Sequence, residues 1–155
     1  MPVLEMPSDF KRPSYRTFMG GQEGLTINPE TSKKLRQIAA KQGTTFYVFM
    51  MAAFQAYLAR ISQQEDFAIG VAAAGHNMPG NQTLVGHCIS VLPLRAKVNT
   101  KEKFNDFIKG VRSSVLDAFD NQGFTFGALV KKLKVERNIN RNTLLSVVFN
   151  MDSPL

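Results

Sequence analysis

Cysteine is almost missing from this chain of 155 residues; Cys88 is the single one. An internal disulfide is therefore excluded, and a reducing compartment is expected, which makes the cytoplasm the default location. Histidine is scarce as well. His76 and His87 stand apart, with neither an H-E-x-x-H spacing nor a cysteine–histidine cluster, so no metal ligand set is expected. The longest uncharged apolar run, Phe46 to Phe54, falls far short of the ~20 residues that span a bilayer. The opening Met1-Pro2-Val3-Leu4-Glu5 has neither the basic nor the apolar region of a signal peptide. There is no internal repeat and no low-complexity tract. Gly20-Gly21 is followed by neither G-K-S/T nor a clean strand-to-helix turn, so no phosphate loop is expected. The carboxylates are scattered, and no pair is placed for acid/base work. No catalytic residue is expected.

What the chain does have is an ordinary soluble composition, 44% apolar and 20% charged, in a length sufficient for one domain with a real core. Its formal net charge is +7, from 19 Lys and Arg against 12 Asp and Glu. Twelve of the nineteen basic residues fall into three groups: Lys11, Arg12 and Arg16; Lys33, Lys34, Arg36 and Lys41; and Lys131, Lys132, Lys134, Arg137 and Arg141. Without interleaved aromatics or a recognisable nucleic-acid module, no nucleic-acid partner is expected. Solvated helix faces account for the charge, and an acidic protein partner would suit it.

Residues 1–14 hold three of the seven prolines and read as an extended connector, ahead of a domain over 15–155. Tyr15 to Ile27 is expected to be a strand pair interrupted at Gly20-Gly21. Asn28-Pro29-Glu30 is a helix start: an N-cap, a proline at the first helical position, and a carboxylate at the positive end of the dipole. Leu35, Ile38 and Ala39 make that helix's apolar stripe, and Gly43 ends it. Thr44 or Thr45 caps a second helix running to about Ser62. Its apolar residues, from Phe46 to Ile61, leave only a narrow polar face, so it should be buried on most sides. Asp66 to Ala74 reads as a strand. Asn99 or Thr100 should open a third helix with Phe104, Phe107, Ile108, Val111 and Val115 at helical spacing. Thr125 caps a short fourth helix with Phe126, Leu129, Val130 and Leu133, and Leu144 to Asn150 should be a final strand. Strands alternating with helices imply an α/β layer arrangement.

The most distinctive stretch runs from Leu84 to Arg95, Leu-Val-Gly-His-Cys-Ile-Ser-Val-Leu-Pro-Leu-Arg. Ile89, Val91, Leu92 and Leu94 favour a pleated surface, but Pro93 cannot donate to a ladder, so the strand belongs at an edge or crosses between elements. Gly86 permits a bulge or a close backbone approach. His87 and Cys88 look like a base beside a thiol, yet successive side chains on a strand point to opposite faces, which favours a structural or pocket-lining role.

This stretch resembles the I/V-G-x-F-V-N-T-x-x-x-R signature of the condensation domains of nonribosomal peptide synthetases. Asn121-Gln122-Gly123-Phe124-Thr125-Phe126-Gly127 is similar to that family's H/N-Q-D-x-P-F-E block, and Arg137-Asn138-Ile139-Asn140-Arg141-Asn142-Thr143-Leu144 to its R-D-x-S-R-N-P-L block. Upstream, Thr45–Arg60, Asp66–Val71 and Gly75–Pro79 resemble its T-x-x-x-x-L-A-A-F helix, D-I-x-I-G strand and G-R-x-x-P loop. Ser90 stands where the family usually has Asn, and Gly123, Thr125 and Gly127 replace Asp, Pro and Glu. The family's catalytic H-H-x-x-x-D-G does not occur in these residues.

The resemblance implies a two-layer α/β sandwich: one lobe, the first part of the C-terminal one, of a chloramphenicol-acetyltransferase-like fold with helices packed on a mixed sheet. It implies an amide-forming acyltransferase in which carrier proteins deliver substrates on 4'-phosphopantetheine arms, no cofactor being bound by the lobe itself. The expected partners are the N-terminal lobe of the same domain and the carrier proteins. His87 and Ser90 would line the substrate channel, and Gly86, Leu92, Pro93 and Arg95 would lie on a strand crossing between lobes. Gln122, Phe126, Arg137 and Arg141 would be structural, the arginines bracing a loop. Epimerising, ester-forming or cyclising relatives share these features, and a non-catalytic module that docks an acidic carrier protein is the alternative from another class. A lone lobe exposes the surface its partner would cover, so self-association is also expected.

Overall fold

A computed structural model describes residues 3–75, 80, 83, 85–135 and 138–152. The chain runs through α1 (Pro29–Lys41), α2 (Phe46–Ser62), β1 (Asp66–Ala74), β2 (Ile89–Lys97), α3 (Phe104–Asp120), α4 (Phe126–Leu133) and β3 (Val148–Phe149). The three strands form one mixed sheet in the order β2-β1-β3, with β2 antiparallel and β3 parallel to the central β1.

The helix starts follow from local chemistry. Asn28 accepts a hydrogen bond from the Thr31 amide at 2.7 Å, with Pro29 next to it at the first helical position. Thr45 and Thr125 accept from the amides of Val48 and Ala128 in the same manner. Each side chain satisfies one donor that the first helical turn would leave unpaired. α1 ends at Gln42, and Gly43 turns the chain at φ +64°, a conformation that glycine adopts without a Cβ penalty.

Strand alternation sorts the sheet into two faces. Phe67, Ile69, Val71 and Ala73 of β1, with Leu92, Leu94 and Ala96 of β2, point to one face. All are buried there among α2 and α3, beside Met51, Leu58, Phe107, Ile108 and Val111. The other face carries Ala68, Gly70 and Val91 and is covered in part by Val130 and Phe126 of α4 and by Leu144 and Leu145. β1 is therefore buried on both faces, which explains its nearly continuous run of small and apolar residues. α2 packs against α1 and α3, and Val48, Phe49, Met51, Ala52, Gln55, Leu58 and Ala59 are buried.

Pro93 is tolerated for a reason the register makes explicit. The Gly70 amide donates to Val147 O at 2.9 Å, toward β3. Gly70 and its antiparallel partner Pro93 are therefore a non-hydrogen-bonded pair, and the Pro93 nitrogen faces outward from the sheet. Among the described residues β2 has no second strand beside it, so the missing N–H interrupts nothing.

Four expectations need correction or refinement. Tyr15 to Ile27 forms no strand pair: Phe18, Met19 and Leu25 are each about nine-tenths exposed, and strands with no face to bury do not pair stably. The third helix begins at Phe104 rather than at Asn99 or Thr100. Asn99 spends its side chain on a turn, accepting from the Lys101 amide at 3.0 Å. The final strand shrinks from Leu144–Asn150 to Val148–Phe149, because Leu144 adopts φ +69° and so leaves the extended region. The N-terminal segment is extended, as its prolines imply, but it is tied down. Leu4 is buried in the main core, Ser146 Oγ donates to Leu4 O at 2.7 Å, and Gln64 bonds the backbone on both sides of it.

Two substitutions test this architecture. Gly43→Ala should lower the unfolding free energy by about 1 kcal/mol, read from denaturant titration, with Gly43→Asn milder. At Gly70 a Cβ would lie 3.0 Å from Val148 Cγ2 and from Val91 Cγ1, and 3.1 Å from Leu145 Cδ1. Gly70→Val should therefore cost about 2 kcal/mol through overpacking on the second face.

Candidate functional site

The residues singled out in the sequence are spread along the open edge and the second face of the sheet. Ser90 sits in β2 opposite Ala73 and is half-buried. His87 precedes the strand and is exposed, on the far side of the half-buried Cys88. The Cys88 carbonyl accepts from the Gly75 amide at 2.7 Å, which extends the β1–β2 ladder one pair beyond the strand ends. His87 and Ser90 are three residues apart on an extended segment, so their side chains leave opposite faces and do not converge. His76 and Leu84 lie outside the described residues.

Gly86 is exposed, with φ +157° and open space where a Cβ would stand. Leu92 is buried on the helical face, whereas Pro93 and Arg95 lie on the other one. Arg95 makes the best-formed ion pair among the described residues. Its Nε and Nη2 donate to the two Asp66 oxygens at 2.8 and 2.6 Å, a two-point fit of guanidinium to carboxylate. These hydrogen bonds, reinforced by the charges of Arg95 and Lys97, hold the Asp66 carboxyl below the usual carboxylate range and raise Arg95. Asp66 opens β1 and Arg95 lies near the end of β2, so the pair pins the antiparallel register at that end.

The second and third motif blocks meet on the second face. Gln122 is half-buried in the turn after α3, its amide donating to Phe119 O at 3.2 Å. Phe126, the first residue of α4, packs with Val130 against Ala68, Leu144 and Leu145. Arg141 pairs with Glu5 and so braces the tail-end loop against the N-terminal segment. Arg137 lies outside the described residues. A hydrogen bond from the Arg16 guanidinium to Asn142, with the Arg16 amide on Ile139 O at 3.0 Å, ties the extended arm to the same loop. The sequence places Leu144 and Leu145 in the expected final strand without marking them as core, although two adjacent leucines after a polar run are the signal that could have done so.

No group of three His, Cys, Asp or Glu able to hold a metal is found among the described residues. No helix among them is long and apolar enough to cross a membrane.

The condensation-domain family model matches residues 1–155, and the chain belongs to that family. It is 33% identical over 153 residues to tyrocidine synthase 3 of Brevibacillus parabrevis, covering 99% of this chain and 2% of that protein. It is 30% identical over 149 residues to gramicidin S synthase 2 of Brevibacillus brevis, covering 96% of this chain and 3% of that one. The chain thus spans a few per cent of the length of the curated relatives it matches. Among solved structures, holo-AB3403, a four-domain nonribosomal peptide synthetase bound to AMP and glycine, superposes with a TM-score of 0.92 at 17% identity, covering 97% of this chain and 11% of that one. The X-domain from teicoplanin biosynthesis superposes with a TM-score of 0.84 at 18% identity, covering 94% and 32%. These superpositions establish the fold expected from the motifs: a mixed α/β lobe of the chloramphenicol-acetyltransferase-like kind.

The Arg95–Asp66 pair carries a pH prediction. A carboxyl held low in the folded state binds fewer protons than in the unfolded chain. Its stabilisation is therefore complete above the ordinary carboxylate range and fades as the pH falls through the folded value. Asp66→Asn should lower the thermal midpoint at pH 7, and the gap to the parent should close at strongly acidic pH. A gap independent of pH would show that the ion pair does not set it.

Proposed function

We propose that this chain is the C-terminal-lobe part of an amide-forming condensation domain and is catalytically silent by itself. The match of the family over residues 1–155 carries this reading. In the reaction so assigned, the amine of an acceptor held on one phosphopantetheine arm attacks the thioester carbonyl of a donor held on another. The C–N bond forms, the C–S bond breaks, and the donor arm leaves as its thiol. The proton lost by the amine goes to a base outside these residues, in the H-H-x-x-x-D-G segment of a preceding lobe.

This lobe would contribute walls and water exclusion. β2, with its outward-facing Pro93 nitrogen, suits an edge that continues into a crossing segment through Gly86, and Ser90 and His87 would border the channel there. Phe18, Met19 and Leu25, about nine-tenths exposed on the arm, support a surface covered by another lobe. The isolated chain would cover it by self-association. The net charge of +7 suits an acidic carrier protein attracted by long-range steering.

The test is a single-turnover assay read by intact mass, with donor- and acceptor-loaded carrier proteins. The 155 residues alone should give no amide, and a longer version that includes the preceding lobe should give it. Product from the short chain would place the chemistry within these residues, with His87 the first to replace. Product from neither, together with a salt-sensitive carrier complex, would favour a docking module.

A further inference from the structure

Beside the turn that joins α1 to α2, a cavity of about 230 Å³ opens against the flank of α3. Thr44 lines it from the turn, and Ile108, Lys109, Arg112 and Leu116 line it from successive turns of the helix. Ile108 is buried and Leu116 is half exposed, so two of these residues supply an apolar wall. The charges beside that wall do not balance. Lys109 is paired with Asp106 at 2.8 Å. Arg112 has no carboxylate partner among the described residues: its Nη1 donates to Gly43 O at 3.1 Å, and its Nε and Nη2 bond to no described residue. In Arg95 that same Nε–Nη2 edge grips both oxygens of Asp66. Thr44 Oγ1 is buried and has no hydrogen-bond partner, an unfavourable state for a desolvated hydroxyl. The cavity thus combines one cation in excess, one unpaired hydroxyl and an apolar wall.

We propose that this cavity binds a small monocarboxylate with a short apolar body. Arg112 takes the carboxylate on its Nε–Nη2 edge, the two-point fit of planar guanidinium to planar carboxylate. Rotation of Thr44 about χ1, from one staggered position to another, lets its hydroxyl donate to the same group. The apolar body lies against Leu116 and the edge of Ile108. The single excess charge selects a monoanion, because a second negative charge would meet Asp106, which already neutralises Lys109. None of these residues belongs to the motif blocks, and the site does not depend on the reaction assigned above.

The test is titration of the isotopically labelled 155-residue chain with isovalerate at constant ionic strength, following the Arg112 Nε–H and the Thr44 backbone amide by NMR. Saturable shifts at both are expected, with a Kd on the order of 1 mM for a ligand of this size. Isovaleramide, of the same shape without the charge, should produce none. Thr44→Val keeps the side-chain shape without the hydroxyl, and affinity should fall about tenfold, the loss of one hydrogen bond to a charged group. Arg112→Gln, at an exposed position, removes the charge and should weaken isovalerate at least as much, the remaining amide signals reporting that each variant folds. No saturation by isovalerate, equal shifts from isovaleramide, or undiminished affinity in either variant overturns the proposal.

Discussion

The burial of β1 on both faces is the constraint on which the remaining structure depends. A central strand covered on two sides has no polar direction for its side chains, so Asp66 to Ala74 carries almost nothing but small and apolar residues after its first position. Each face then needs its own cover. α2 and α3 supply a thick one over Phe67, Ile69 and Val71, while α4 and the Leu144–Leu145 pair supply a thinner one over Ala68 and Gly70. Gly70 is the point where the thin cover comes closest, since its missing Cβ is what lets Val91, Leu145 and Val148 approach the sheet together. The leucine pair reaches that position only because Leu144 accepts a left-handed backbone, a conformation that costs a non-glycine residue about 1 kcal/mol and persists only when packing outweighs it.

The same constraint explains why the chain's two ends meet. A parallel β3 must enter beside β1 from the same direction, so the segment before it passes over the second face and close to the N-terminal residues. Leu4 fills the gap there, and Ser146, Gln64 and the Glu5–Arg141 pair fix its backbone. A segment whose prolines exclude regular structure is thus held by side chains, which is the remaining way to satisfy its polar groups.

How far the sequence revealed this depended on how local the cause was. Helix caps at Asn28, Thr45 and Thr125 were legible because the bonding partner lies three residues away, and β1 was legible to its ends. The edge position of Pro93 was legible because proline's lack of an N–H is intrinsic. Asn99 misled because an asparagine satisfies a turn as readily as a helix start, and only the following backbone decides between them. Leu144 to Asn150 misled because its composition suits a strand while a single left-handed residue, imposed by packing, shortens it. Tyr15 to Ile27 misled because its apolar residues suit a strand, whereas Phe18, Met19 and Leu25 stay exposed and give a strand no face to bury.

The candidate site divides along the same line. Arg95 and Arg141 were recognised as motif positions, yet what each grips is set by distant residues, Asp66 in the neighbouring strand and Glu5 across nearly the whole chain. Gln55 escaped notice altogether, because one glutamine in an apolar helix reads as a position on the wet side. Its burial, at 2% exposure, is set by the packing of the whole core. Residues that bear on local folding announce themselves in the sequence. Residues whose role lies in distant contacts are defined by what the fold brings to them, as Asp66 is brought to Arg95 and Glu5 to Arg141.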